Sequence, residues 1–209
     1  MTKKQRAAEA VRLLKEAYPD AVCSLDYVKP HELLISVRLA AQCTDARVNM
    51  VTPALFEKYP TLEALAAATP EEIGEMIKSC GLYKTKARDI CAMSKMLIEE
   101  FDGVVPDDMD KLLSLPGVGR KTANLILGDV YGQPAVVCDT HCIRITNLLG
   151  LTTTKDPTKC EKELRACLPM EEANDFCHRL VLHGRAVCVA RRPDCANCVM
   201  APVCKSAKS

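Results

Sequence analysis

The chain of 209 residues contains no tryptophan, and aromatic residues make up only 4% of it. Its core must therefore be built from Leu, Ile, Val, Ala and Met. No uninterrupted apolar run approaches the roughly 18–20 residues that span a bilayer, so no membrane segment is expected. The opening Met1-Thr2-Lys3-Lys4-Gln5-Arg6 has no apolar stretch behind its charges, so no secretory signal is expected either. Repeats and low-complexity linkers are lacking, which excludes a flexible tether between domains. The net charge is only +1, and overall charge does not point to a nucleic acid.

What is there is ordinary for a globular chain, with 48% apolar and 26% charged residues. The length suits one large domain or two small ones. Thirteen cysteines stand in a chain expected in a reducing cytoplasm, where disulfides are not expected. Nine of them (Cys23, Cys43, Cys80, Cys91, Cys138, Cys142, Cys160, Cys167, Cys177) read as small buried hydrophobes. Charge is unevenly spread. From Arg179 onward, Arg179, Arg185, Arg191, Arg192, Lys205 and Lys208 face only Asp194, and the remainder of the chain is net acidic. Such a tail focuses positive potential on one face, although a charge run alone is more often a solvated surface.

The pattern is almost entirely helical. Ala7, Val11, Leu14 and Tyr18 recur at helical spacing over residues 4–18. Pro30 marks an element boundary, and the apolar run Leu33–Ala41 reads as a buried helix reaching a surface at Thr44-Asp45. Thr61, Thr69-Pro70-Glu71-Glu72, Asp107 or Asp108, Asp139 and Asp156-Pro157 carry helix start signals. Gly128 and Gly132-Gln133-Pro134 are read as breaks, and Val136-Val137 is the only extended scrap, too short for a sheet. The predicted class is all-α.

Three motifs carry chemistry. Cys188, Cys195, Cys198 and Cys204, spaced C-x6-C-x2-C-x5-C, place four thiols where they can wrap an iron–sulfur cluster or a zinc ion. Leu115-Pro116-Gly117-Val118-Gly119-Arg120-Lys121-Thr122-Ala123 has the form of a helix-hairpin-helix. Pro116 ends the first helix, and Gly117 and Gly119 permit unusual backbone angles and close approach. The second helix then aims its first N–H groups at a phosphate, a contact that positions DNA without reading sequence. A tight turn between helices uses the same glycines. Lys121, in the first turn, is a candidate amine nucleophile, because the electropositive helix end, and burial if present, disfavour its ammonium. An exposed lysine gripping phosphate fits the same position. Asp139, in Val137-Cys138-Asp139-Thr140-His141, is an N-cap by pattern and can also stabilise positive charge on a bound sugar.

These motifs, in this order and with Asp139 eighteen residues after Lys121, resemble the endonuclease III family of DNA repair glycosylases. The resemblance runs from about Leu33 to Cys204 and includes LAAQCTD (Leu39 to Asp45) and GLYKTKA (Gly81 to Ala87). It implies two helical lobes with a DNA cleft between them: a six-helix lobe over 23–133 holding the hairpin, and a discontinuous lobe of 1–22 with 134–209. It implies one four-iron, four-sulfur cluster on the four cysteines, shaping the loop that carries Arg191 and Arg192. It implies a monomer acting on damaged double-stranded DNA, removing oxidised or ring-saturated pyrimidines and then cleaving the strand. Lys121 matches the Schiff-base nucleophile, and Asp139 the assisting carboxylate. Gln42 matches a residue that fills the gap left by a flipped base, and Leu82 a wedge on the opposite strand. Gly117, Val118, Gly119 and Arg120 fall to the DNA-binding hairpin, and His141 to the neighbourhood of the active site. Asp194 departs from the basic residue that members often carry there, which implies weaker phosphate binding by that loop. The adenine-removing branch of the superfamily uses a glutamate near Ser36, lacks the lysine and carries an extra C-terminal domain. A pyrimidine-dimer glycosylase would share the lysine and aspartate. A zinc-containing DNA-binding module would not need Lys121 and Asp139 together.

Overall fold

The computed structural model describes residues 1–207, and Lys208 of the basic tail lies outside the described residues. Among the described residues there is no β-strand, and no helix is long and apolar enough to cross a membrane. The chain divides into two compact units, Ser24–Tyr131 and Met1–Cys23 with Gly132–Ser209.

The continuous unit holds α1 to α7 of its own helices: α1 (Pro30–Ala40), α2 (Asp45–Lys58), α3 (Leu62–Ala67), α4 (Pro70–Met76), α5 (Tyr83–Phe101), α6 (Met109–Ser114) and α7 (Arg120–Asp129). A 3-10 turn, Lys78–Cys80, precedes α5. The count is seven where the resemblance implied six, and α3 and α4 are separate short helices on either side of Thr69. Thr69 and Glu72 form a reciprocal capping box there, and Pro70 supplies a pre-set φ at the first helical position. Helix α5 packs against α3 and α4, while α1 packs on α2 and α7. Leu33, Leu34, Leu39, Leu55, Leu65, Ile73, Ile90 and Ile126 fill the centre, each fully buried. Gly128 does not end α7. It is buried inside the helix, and the break comes at Gly132, whose φ is +61°.

The discontinuous unit is built from both ends of the chain. Its helices are α8 (Lys3–Ala17), α9 (Thr140–Leu149), α10 (Pro157–Arg165) and α11 (Ala173–Ala186), with a 3-10 turn at Ala201–Val203. Helix α8 buries Ala7, Ala10, Val11 and Leu14, and it packs on α11 and on the Ala201–Val203 turn. Arg6 Nε donates to the Val203 carbonyl at 3.1 Å, and Lys15 pairs with Glu172. Seven of the nine cysteines outside the motif are buried as expected, whereas Cys23 and Cys43 are half-exposed. Cys43 lies in the short loop between α1 and α2.

Candidate DNA-repair site

The hairpin occupies Leu115 to Gly119, between α6 and α7. Leu115 and Val118 are buried and anchor it, and the Val118 N–H donates to the Leu115 carbonyl at 3.1 Å. Gly117 has φ +76°, and a Cβ there would stand 2.7 Å from Arg38 Nε and 2.9 Å from Asp89 Oδ2. Those two side chains are ion-paired at 2.6 Å beneath the turn, so the glycine is required by both its angle and its floor. Gly119 opens α7 with an extended backbone and no atoms within 4 Å of a notional Cβ.

Seven helices open on a capping Thr or Asp side chain: Thr2, Thr44, Thr61, Thr69, Asp108, Asp139 and Asp156. Helix α7 opens on Gly119 with no side-chain cap and no acidic residue in its first turn. A helix end without a capping side chain is one where an anion can sit. Lys121 is the second residue of this helix and is exposed. The burial that the sequence reading allowed for at this lysine is therefore absent.

Gln42 and Leu82 are both exposed and both left-handed, at φ 57° and 47°. Only one other non-glycine among the described residues, Asp102 at the end of α5, shares that region. A left-handed residue with a Cβ costs about 1–2 kcal/mol, and Leu82 also leaves 56% of its surface in solvent. Leu82 is therefore not a core residue. Backbone strain of this kind persists only where the surrounding structure holds it in place.

In the other unit, Asp139 has extended backbone and caps α9, its Oδ1 accepting from the Cys142 N–H at 2.7 Å. His141 is half-buried and lies on the backbone of α11 at Gly184, where a Cβ would collide with its ring. Arg144 donates toward His141 Nδ1 at 3.4 Å and toward Cys188 Sγ at 3.4 Å.

The four motif thiols line one cavity of about 180 Å³, together with Leu148, Pro193 and Ala201. No three His, Cys, Asp or Glu side chains among the described residues gather tightly enough for a single ion. Around the thiols, His183 Nε2 lies 3.3 Å from Cys198 Sγ and its Nδ1 lies 3.1 Å from the Tyr18 hydroxyl. His183 is fully buried, and burial together with the nearby Arg144 lowers its pKa. Arg191 and Arg192 are exposed on the loop between Cys188 and Cys195. Asp194 is engaged locally: Asn197 donates its N–H to Oδ1 at 3.3 Å and its Nδ2 to Oδ2 at 2.8 Å. The acidic residue in this basic loop thus shapes the turn that delivers Cys195 and Cys198.

A profile described as HhH-GPD superfamily base excision DNA repair protein matches residues 35–170. The endonuclease III of Synechocystis sp. is 48% identical over 209 residues, covering 100% of this chain and 95% of that protein. The endonuclease III of Bacillus subtilis is 44% identical, covering 91% of this chain and 87% of that one. The chain belongs to the endonuclease III family. A solved endonuclease III, trapped as a covalent intermediate with DNA, superposes with a TM-score of 0.92 at 42% identity, covering 99% of this chain and 97% of that one. Within this family, four supporting groups carry no motif signal and emerge only from the fold: Arg38 and Asp89 under the hairpin, and Tyr18 and His183 beside the thiols. Their partners are tens of residues or more away in sequence.

Proposed function

We propose that this protein, a base excision repair DNA glycosylase and AP lyase, removes oxidised or ring-saturated pyrimidines from double-stranded DNA with Lys121 as its nucleophile. The observation that carries the reading is Lys121 standing exposed in the first turn of an uncapped helix at the hairpin. The hairpin amides hold the DNA backbone, and the damaged nucleotide leaves the stack, because C1′ is out of reach within it. The lysine amine attacks C1′, and the glycosidic bond breaks to release the base. The resulting Schiff base acidifies the C2′ proton, and β-elimination cleaves the strand 3′ to the lesion. Asp139 assists by accepting the amine's proton or by facing the positive charge that develops on the sugar. Gln42 fills the space of the flipped base, and Leu82 wedges the opposite strand. The strained, exposed conformations of both support these roles. Arg191 and Arg192 meet phosphate at the rim, and His141 braces α9 behind Asp139.

Cys188, Cys195, Cys198 and Cys204 would hold a four-iron, four-sulfur cluster. Four thiols ringing a cavity, rather than converging on a point, suit a cubane whose ligands stand apart at its corners. The chemistry it supplies is structural, fastening the loop that carries the two arginines. The protein works as a monomer in the cytoplasm. Ser36 is fully buried within α1, so no carboxylate stands where the adenine-removing branch has its glutamate.

The test is borohydride trapping on a duplex containing thymine glycol, comparing wild type with Lys121→Ala. A covalent adduct in wild type alone is expected, with duplex affinity kept within about threefold in the variant. An adduct retained by Lys121→Ala overturns the assignment.

A further inference from the structure

Lys86 is entirely buried, and no carboxylate pairs with it among the described residues. Lysine is almost never fully buried unpaired, since removing an ammonium from water is costly. Burial pushes its pKa down. Its Nζ donates to two backbone carbonyls, Leu39 at 2.7 Å and Cys80 at 2.8 Å. Leu39 is in the last turn of α1 and Cys80 ends the 3-10 turn, so both carbonyls belong to groups that a helix end leaves without a partner. One ammonium therefore caps two helix ends at once.

The position of those ends is what matters. Gln42 follows Leu39 by three residues, and Leu82 follows Cys80 by two. These are two of the three left-handed non-glycine residues among those described. Strained backbone persists only where its surroundings over-determine it. We infer that Lys86 is a positioning residue that ties the Gln42 loop to the Leu82 loop, holding both side chains raised as one rigid platform for extruding a base. The inference rests on the reading that Gln42 and Leu82 enter the duplex.

The experiment compares single-turnover removal of thymine glycol from two DNAs. In one the lesion is in a fully paired duplex, and in the other it sits in a bulge where the base is already unstacked. Wild type, Lys86→Met and Leu82→Ala are measured on both. Lys86→Met preserves length and bulk while removing the donors. For Lys86→Met we expect the paired-to-bulged rate ratio to fall at least tenfold, Leu82→Ala to lower it similarly, and the bulged rate to stay within about threefold of wild type. A purely structural loss would slow both DNAs equally, and that outcome overturns the proposal. So does an unchanged ratio in Lys86→Met when Leu82→Ala lowers it. An unchanged ratio in Leu82→Ala removes the wedge itself and the proposal with it. If Lys86→Met does not fold, Lys86→Gln, which keeps an amide donor too short to span both carbonyls, must show the same fall in ratio, and an unchanged ratio there refutes the platform.

Discussion

At the scale of single residues, the capping role of Asp139 and the catalytic role proposed for it can be separated by substitution. Its Oδ1 caps α9, and asparagine caps a helix about as well as aspartate. Asp139→Asn is therefore expected to keep the wild-type denaturation midpoint, within about 0.5 kcal/mol. Asp139→Ala loses the cap and about 1 kcal/mol. Both variants lose the carboxylate charge, and single-turnover base removal should fall at least tenfold in each. An unchanged rate in Asp139→Asn would leave the residue a cap only. The place of Lys121 in a first helical turn, the cap made by Asp139 and the grouping of the four thiols were legible in the chain because their motifs are local in sequence. Lys86 was not: its bonding partners are backbone carbonyls, one of them 47 residues away. The left-handed angles of Gln42 and Leu82 were equally hidden, since neither residue type announces a positive φ.

Among the elements, the hairpin separates two glycines that look alike in sequence. Gly117 needs its positive φ and rests on the Arg38–Asp89 pair, so Gly117→Ala is expected to cost roughly 1–3 kcal/mol in chemical denaturation. Gly119 has an ordinary extended angle and open space, so Gly119→Ala should leave stability nearly unchanged. Its new methyl group points where a phosphate would approach. Duplex affinity should then weaken severalfold in fluorescence anisotropy, while the melting temperature holds. Equal loss of stability in the two variants would contradict this division. Helix starts at Thr61, Thr69, Asp139 and Asp156 could be read directly, and the choice between Asp107 and Asp108 falls to Asp108, because a cap is a contact between neighbours in the chain. The end of α7 could not, because Gly128 is accommodated by tertiary packing that outweighs its local preference.

For the molecule as a whole, the unit built from both chain ends is joined partly by charge. Glu172 meets Lys15 of α8 and the nearly buried Arg179 of α11 at 2.9 Å, and these partners hold its carboxyl below its ordinary pKa of 4.5. A depressed folded-state pKa means that the unfolded chain takes up the proton first. The stability from these contacts is therefore present above pH 4.5 and is lost as pH falls through the lower folded value. Urea midpoints between pH 7 and pH 3 should drop less steeply for Glu172→Gln than for wild type, from a lower starting point at pH 7. Parallel curves would show that the pairing does not couple to folding.

The same arrangement sets an order of events during synthesis. Ser24–Tyr131 can close as soon as it leaves the ribosome, but α8, made first, has its partners α11 and the Ala201–Val203 turn made last. At roughly 5–20 residues per second, the apolar stripe of Ala7, Ala10, Val11 and Leu14 waits on the order of 10–40 seconds for its cover. For that interval the apolar stripe of α8 stands uncovered, and apolar surface exposed in this way is what chaperones shield.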